Sequence, residues 1–347
     1  MAVTLQDVVG ALDEAYPRNL AEDWDAVGLV GGDLTAPVSS VLLAVDVTST
    51  VVDEALQAGA DLLVAHHPLL LRAVHGMGTD TVEGRLLHRL LTGGCALFTA
   101  HTNADSAAPG VSDALARTIG LTSLSPLDAK PEEPRDQVVV RVPTASVRSV
   151  TTALADAGAA QVHDVTEPDG SRVEAVLPRP RRQEVLAALR RSHPDPEPSI
   201  QVHELATLPS SRGLGRVGTL PSPMSLQTFA EHVARVLPRT ATGVRVAGPV
   251  HAPVQRVAVC GGSGDSLIGA ARAVGADVLV TADLRHHPVC GAMEAGGPWL
   301  VDVAHWASEW PWLMGARERI LSALDPMGEH LDVVVSRTVT DPWTSRA

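Results

Sequence analysis

The sequence predicts an α/β protein in which an internally repeated parallel-sheet domain is interrupted by a ferredoxin-like α+β insert. Residues 59–68 read GADLLVAHHP and residues 275–288 read GADVLVTADLRHHP, so a short apolar strand leads to His-His-Pro in both ends of the chain. Between these copies, residues 123–136 are rich in proline and charge, which is typical of a linker. The expected segments are residues 1–125, 126–212 and 213–347.

The flanks of the two copies repeat as well. In the first half we expect a strand, a helix, a second helix and a strand at residues 41–45, 51–58, 83–91 and 96–100. The equivalent elements of the second half are expected at residues 257–260, 266–274, 291–295 and 299–304. Short apolar strands alternating with helices indicate a buried parallel sheet whose strands end at one edge. Ligands bind at that edge in open α/β sheets.

The segment 126–212 follows a different pattern. Strands are expected at residues 138–142, 160–165, 172–177 and 200–205, and helices at residues 145–157 and 181–191. This β-α-β-β-α-β order is that of the ferredoxin-like split unit. After the insert, Ser225 is a candidate cap for a helix that extends to Leu237.

Composition excludes several classes of protein. The formal net charge of -13, from 27 basic and 40 acidic residues, argues against a nucleic-acid partner, because phosphate binding needs clustered Lys and Arg. Three cysteines without paired spacing, Cys95, Cys260 and Cys290, favour a reducing compartment and no disulfide framework. No signal peptide is recognised, and no apolar run approaches the ~18 residues of a membrane span. We therefore expect a cytoplasmic protein with no membrane partner.

Metal-binding side chains collect at the expected sheet edge. They are His66, His67, His101, Asp105, His286, His287, His305 and Glu309. Imidazole together with carboxylate suits Zn, Fe, Mn, Co or Ni, and the sequence does not distinguish among them. His305 and Glu309 are four residues apart and would share one helix face. The adjacent His66 and His67 diverge from a strand, so each would bind a different ion, which indicates two divalent metal ions.

Several of these residues also have plainer interpretations. If His66 and His67 were not expected nearby, His305 and Glu309 would be interpreted as part of a solvated helix face. His101 and Asn103 either orient a ligand or cap a turn. The segment GGSGD at 261–265 resembles a phosphate-binding turn but lacks the P-loop lysine, so a tight strand-to-helix turn is favoured.

Six motifs resemble those of a known family and occur in that family's order. They are WDAVGLVGGD (24–33), AHHPLL (65–70), HTNAD (101–105), GGSGD (261–265), TADLRHHP (281–288) and DVAHWASE (302–309). The family is the dinuclear-metal-centre hexameric proteins, also called NIF-three-like or GTP cyclohydrolase I type 2-like. The resemblance covers both ends of the chain, and the middle is similar to the PII-like or CutA-like insert of longer members.

This resemblance implies a ligand set and an assembly. His66 and His305 would bind one metal ion, His67 and Asp105 would bind the other, and Glu309 would bridge them. It further implies a homo-hexameric toroid whose metal sites face an internal cavity. The chain departs from the family beside the site, where Ala26 and Ala304 replace the usual Asn and Gly, so substrate contacts are less well defined than the metal ligands.

Two functions remain open at this point. The first is a metal-dependent hydrolase acting on a small-molecule substrate, either nucleotide-like or a cyclic amide, with GTP ring opening as the special case. There Glu309 would position the metals, and His286 or His287 would assist proton transfer. The second is a non-catalytic ring that stores metal or senses a small molecule through the insert. A toroid that slides on nucleic acid is disfavoured by the charge.

Overall fold

The computed structural model describes residues 2–324 and 331–347. The chain divides into two compact units, one formed by Met1–Ala129 with Ser211–Ala347 and the other by Lys130–Ser210. The larger unit is therefore built from both ends of the sequence. Within the described residues, no helix has the length and apolar character needed to cross a bilayer.

The first half of the larger unit alternates helices and short strands. Its elements are α1 (Leu5–Ala15), β1 (Gly28–Gly31), β2 (Ser40–Ala44), α2 (Ser49–Gln57), β3 (Leu62–Ala65), α3 (Val82–Thr92), β4 (Ala96–Thr99), α4 (Thr102–Ser106), α5 (Val111–Thr118) and β5 (Thr122–Pro131). The helices α1, α2 and α3 begin at a capping threonine. Thr4 and Asp7 form a capping box at α1, and the hydroxyls of Thr48 and Thr81 accept amide hydrogen bonds at α2 and α3.

The smaller unit consists of four strands and two helices. They are β6 (Arg135–Val142), α6 (Val147–Asp156), β7 (Gln161–Glu167), β8 (Gly170–Pro178), α7 (Arg182–Ser192) and β9 (Ile200–Glu204). The strands form one antiparallel sheet in the order β7-β8-β6-β9. Alternate residues of β8 are buried, so one face of this sheet covers the core and the other is open.

The second half of the larger unit repeats the alternation. Its elements are β10 (Pro209–Ser225), α8 (Leu226–Val236), β11 (Arg245–Ala247), β12 (Pro253–Ser263), α9 (Ile268–Ala273), β13 (Val278–Ala282), α10 (His286–Glu294), β14 (Trp299–Val303), α11 (His305–Leu324) and β15 (Asp332–Val335). Ser225 caps α8 as expected. The prediction for α10 was wrong at its start, because this helix begins at His286 and not near residue 291. Pro288 lies in its first turn, where a missing amide hydrogen is tolerated.

Two mixed sheets form the larger unit, with strand orders β1-β4-β3-β2-β15 and β11-β14-β13-β12-β10-β5. Strands β2, β3 and β4 are parallel, as are β12, β13 and β14, which confirms the expected parallel strands of both halves. Antiparallel strands flank these cores: β1 pairs with β4, β10 with β12, and β11 with β14. The fold is thus of the mixed α/β class.

The linker expected at 123–136 was wrong in its local structure. Residues 123–131 belong to β5, and residues 209–215 begin β10. β5 is the outermost strand of its sheet, next to β10. Proline is tolerated in an edge strand because one side of that strand needs no ladder hydrogen bonds, so Pro126 and Pro131 do not exclude a strand there.

Candidate metal centre

All five predicted metal ligands lie together in the larger unit. His66 and His67 directly follow the fully buried strand β3, and Asp105 lies in the short helix α4 that follows β4. His305 and Glu309 occupy the first turns of α11, which follows β14. The ends of strands from two sheets therefore supply the cluster, as the edge rule for α/β sheets requires.

Glu309 is the centre of this cluster. Its Oε1 lies 2.9 Å from Nε2 of His305 and 3.5 Å from Nε2 of His66, and its Oε2 lies 3.1 Å from Nε2 of His67. Asp105 approaches from the other side, with Oδ1 3.7 Å from Nε2 of His66. Glu309 is only 3% exposed and His66 is fully buried. One carboxylate thus faces three imidazoles in a largely water-free setting.

Each of these imidazoles is oriented through its other nitrogen. Nδ1 of His66 donates to the carbonyl of Ala100 at 2.8 Å. Nδ1 of His67 lies 2.7 Å from Asp46, and Nδ1 of His305 lies 2.6 Å from Asp283. Acceptors at Nδ1 hold a proton there and turn Nε2 toward the cluster, which is the orientation of metal-bound histidines.

Three polar atoms at the centre lack hydrogen-bond partners. Within the described part of the chain, Nε2 of His66, Oδ1 of Asp105 and Oε2 of Glu309 are buried without a hydrogen bond. A buried polar group without a partner is costly, so such groups point to an additional binding partner. An imidazole nitrogen and two carboxylate oxygens are atoms that commonly coordinate divalent cations. The residues present therefore fit a metal ion.

Within the described residues, two triads of potential metal-binding atoms lie close together. One joins His67, His305 and Glu309, and the other joins His66, His67 and His101. The two triads share His67, whose Nδ1 is bonded to Asp46 and whose Nε2 can bind one ion. Neither the number of ions nor the element follows from this geometry, because the donor set fits several metals.

The charges of the cluster compensate one another. Burial disfavours the charged form of Glu309, but the three imidazoles outweigh it and hold the pKa of Glu309 well below its usual value. Burial likewise opposes protonation of His67 and His305, yet Glu309 and the Nδ1 carboxylates raise the pKa of His67 to about 11 and that of His305 to about 9. The cluster thus has a strong affinity for positive charge at its centre.

His101 borders the cluster without being one of the five residues. Its Nδ1 lies 2.8 Å from Asp25, and its ring lies 5.3 Å from the ring of His66. Asn103 hydrogen-bonds to the His101 amide and to the carbonyl of Tyr16, so it fixes the turn. The indole of Trp24, which is 60% exposed, contacts the outer edge of the His101 ring.

His286 and His287 occupy a different place. Both are exposed at the start of α10, with their rings 5.2 Å apart. His286 lines a cavity separate from the one that contains His67 and His305. The proton-transfer role expected for these two residues stays a prediction.

A cavity of about 240 Å³ opens beside the cluster. His67 and His305 line this cavity, and so do Arg245, Trp306 and Trp343. A small planar molecule would fit between such walls, because indoles provide flat apolar surface and the guanidinium provides charge.

Sequence reasoning missed the residues that support the ligands. Asp46 and Asp283 each follow an apolar strand directly, in LLAVD and LVTAD, which is a signal that the repeat could have shown. Thr340 in turn donates a hydrogen bond to the second oxygen of Asp46. Gly262 was missed because its contribution is the space left by an absent side chain.

The larger unit has a mixed α/β fold, and histidines and carboxylates lie together where its strands end. The protein is therefore an α/β protein with a site suited to metal ions. The sequence profile of the Duf34/NIF3 (NGG1p interacting factor 3) family matches residues 3–342. The chain therefore belongs to the Duf34/NIF3 family, as the motifs indicated.

Curated relatives and solved structures agree with this membership. The chain is 46% identical over 373 aligned residues to the GTP cyclohydrolase 1 type 2 homolog of Mycobacterium tuberculosis, covering 99% of this chain and 97% of the relative. It is 32% identical to the protein of that name from Bacillus subtilis, covering 99% of both. A Bacillus cereus protein related to NIF3 superposes with a TM-score of 0.80 at 32% identity, and Staphylococcus aureus SA1388 with 0.90 at 27%, each over 99% of both chains.

Proposed function

We propose that this protein is a dinuclear, divalent-metal-dependent hydrolase that acts on a nucleotide-like or cyclic amide substrate. One observation carries the proposal: His66, Asp105 and Glu309 each have a buried nitrogen or oxygen atom without a hydrogen bond, and all three atoms could coordinate a metal ion. His66 and His305 would hold one ion, and His67 and Asp105 the other. Glu309 would hold both, since its two oxygens face different histidines.

When bound, the ions supply Lewis acidity for hydrolysis. The protein's own residues supply position and charge. Asp46 and Asp283 hold the Nδ1 protons of His67 and His305, which keeps both Nε2 atoms directed inward. The carboxylates of Asp105 and Glu309 offset two of the four positive charges of two divalent ions. Asp46 and Asp283 offset the other two, so the site is formally neutral and admits an uncharged polar substrate such as a cyclic amide.

The substrate class rests on the cavity and on the relatives' name. The name GTP cyclohydrolase 1 type 2 homolog supports a nucleotide-like substrate. Trp306 and Trp343 offer faces for a planar ring next to His67, and Arg245 offers positive charge to an anionic group. A cyclic amide bound in this cavity would have its reacting carbon beside His67 and His305, which line it.

The test is turnover of a panel of nucleotides and cyclic amides by protein loaded with Zn, Fe, Mn, Co or Ni. His67→Ala and Glu309→Ala should each abolish turnover. His88→Ala is the matched control, because His88 is exposed on α3. Turnover that survives both site variants would come from a contaminant, and absence of turnover with every metal would contradict the proposal.

A second candidate is a non-catalytic ring that stores metal or senses a small molecule. It is favoured by a cavity of about 760 Å³ on the smaller unit, whose lining carries both signs of charge: Arg141 and Arg172 form ion pairs there with Glu167 and Glu174. Calorimetry with small zwitterionic molecules should then show binding that Arg141→Ala weakens and that the exposed control Arg148→Ala leaves intact. No binding by the unchanged protein would remove this support.

We further propose that the smaller unit is a ferredoxin-like, PII-like insert and that six copies assemble into a toroid. The order β-α-β-β-α-β and the sheet order β7-β8-β6-β9 support the first part. Family membership supports the second. Light scattering coupled to size-exclusion chromatography should give six times the mass of one chain. A monomer or dimer would contradict the toroid.

A further inference from the structure

A second pair of metal-binding side chains lies on α10, apart from the five residues at the centre. Cys290 follows His286 by four residues, so both project from the same face of the helix. Sγ of Cys290 lies 3.5 Å from Nε2 of His286. Both residues are exposed, and both line a cavity of about 310 Å³.

The distance between these two atoms suits a tetrahedral cation. With a Zn–S distance of ~2.3 Å and a Zn–N distance of ~2.0 Å, a tetrahedral angle separates sulfur from nitrogen by roughly 3.5 Å. The same separation permits a hydrogen bond from the thiol to the imidazole, so a cation could replace the thiol proton with little movement of either side chain. Sulfur and imidazole together select thiophilic ions.

Cys290 is the one thiol among the described residues that solvent ions can reach. Of the three cysteines, Cys95 and Cys260 are buried. Burial raises the pKa of Cys95 to about 12 and also raises the pKa of Cys260, so both thiols stay protonated. The exposed thiol beside an imidazole is therefore the favoured position for a metal thiolate.

The cavity of Cys290 shares a wall with the cavity beside the five-residue cluster. Arg245 and Asp302 form an ion pair, and both residues line both cavities. The pair on α10 therefore occupies the same region of the larger unit as His67 and His305. His287, whose ring neighbours that of His286, is not among the residues lining the Cys290 cavity.

We propose that His286 and Cys290 form an accessory site that binds a thiophilic divalent cation such as Zn²⁺. The cation forms bonds to Sγ and Nε2, the S–H bond of Cys290 breaks, and the proton passes to solvent. Water fills the remaining coordination positions in the cavity. The inference does not rest on the proposed hydrolytic function, because it uses none of the five residues at the centre.

Titration of the full chain with Co²⁺ tests this site selectively. Co²⁺ bound by a thiolate shows a charge-transfer absorption in the near ultraviolet, and Co²⁺ bound only by nitrogen and oxygen lacks it. The five-residue cluster contains no sulfur donor, so the absorption reports the accessory site alone. The unchanged protein should develop the band, and Zn²⁺ added afterwards should remove it.

Variants assign the band to its ligands. Cys290→Ser should abolish it, and His286→Ala should raise the Co²⁺ midpoint by more than about tenfold, since even outer-shell losses weaken metal sites by about that factor. His287→Ala and Cys260→Ser are the matched controls and should leave it unchanged. The proposal is overturned if no band forms while Co²⁺ binds elsewhere, or if the band survives Cys290→Ser and disappears in Cys260→Ser.

Discussion

Gly262 lies directly against Glu309. A Cβ atom at this glycine would be 2.4 Å from Oε1 of Glu309 and 3.0 Å from Nε2 of His305. The backbone is fixed there by hydrogen bonds with the hydroxyls of Ser308 and Thr281, both 2.8 Å long. Its φ of +66° is also unfavourable for other residues. The glycine thus leaves the space that the central carboxylate occupies.

Gly262→Ala should therefore disrupt the candidate centre. The added methyl group must displace the Glu309 carboxylate, and we expect metal affinity to fall by more than about tenfold, as it does when a ligand loses its support. Titration calorimetry with Mn²⁺ or Zn²⁺ measures the change. Gly269→Ala is the control, because no atom lies within 4 Å of its added Cβ. Equal affinity in both variants would contradict the arrangement.

Asp46→Asn and Asp283→Asn test the support of the histidines. Each change removes the charge that holds an Nδ1 proton, and we expect metal affinity to fall about 10–100-fold. Asparagine suits Asp283 because it tolerates the positive φ of +55° found there. Asp53→Asn, which changes an exposed ion pair with Arg89, should leave affinity intact. A loss of the same size in that control would indicate a nonspecific charge effect.

Metal should stabilise the folded chain through Glu309. At a free metal concentration 100 times Kd, binding to the folded state alone adds about 2.7 kcal/mol to the free energy of unfolding. A chelator should lower the Tm of the unchanged protein by clearly more than it lowers the Tm of Glu309→Gln. Glu318→Gln, exposed on the same helix, should behave like the unchanged protein. An equal response in Glu309→Gln would place the metal elsewhere.

The smaller unit should show a pH-dependent stability that depends on Asp136. Two hydrogen bonds from Arg182, and a further one from Arg179, lower the pKa of this carboxyl despite its burial. A lowered carboxyl pKa stabilises the fold above the unfolded value of about 3.9 and loses that effect as pH falls through the folded pKa.

Asp136→Asn should consequently lower the Tm at pH 7 and at pH 5, and the difference from the unchanged protein should shrink below about pH 4. Thermal scans followed by circular dichroism across this range measure it. Glu132→Gln removes only an exposed ion pair with Arg135 and should change Tm little. A difference that persists unchanged into acid would show that the Asp136 charge is not responsible.

Local patterns were enough to predict much of the centre. The repeat marked His66 and His67 at the end of β3, and the four-residue spacing marked His305 and Glu309 on one helix face. Asp105 was marked by its position shortly after the strand expected at residues 96–100. These residues were predictable because the end of an apolar strand and the spacing of residues on a helix face can be recognised from a few consecutive residues.

Features that depend on distant contacts were not predictable. β5 was taken for a linker because its strand character comes from pairing beside β10, which no local pattern encodes. The roles of Asp46 and Asp283 depend on which imidazole lies opposite each carboxylate. The repeat placed His286 at the expected sheet edge, and its contact with Cys290 could not be read from that pattern.

Anomalous scattering tests the central claim most directly. Crystals of the full chain, purified without chelators, would be measured on both sides of the absorption edges of Zn, Fe, Mn, Co and Ni. The account predicts two anomalous peaks roughly 3.5–4 Å apart, enclosed by His66, His67, Asp105, His305 and Glu309. A single peak there, or peaks only at other places, would contradict it.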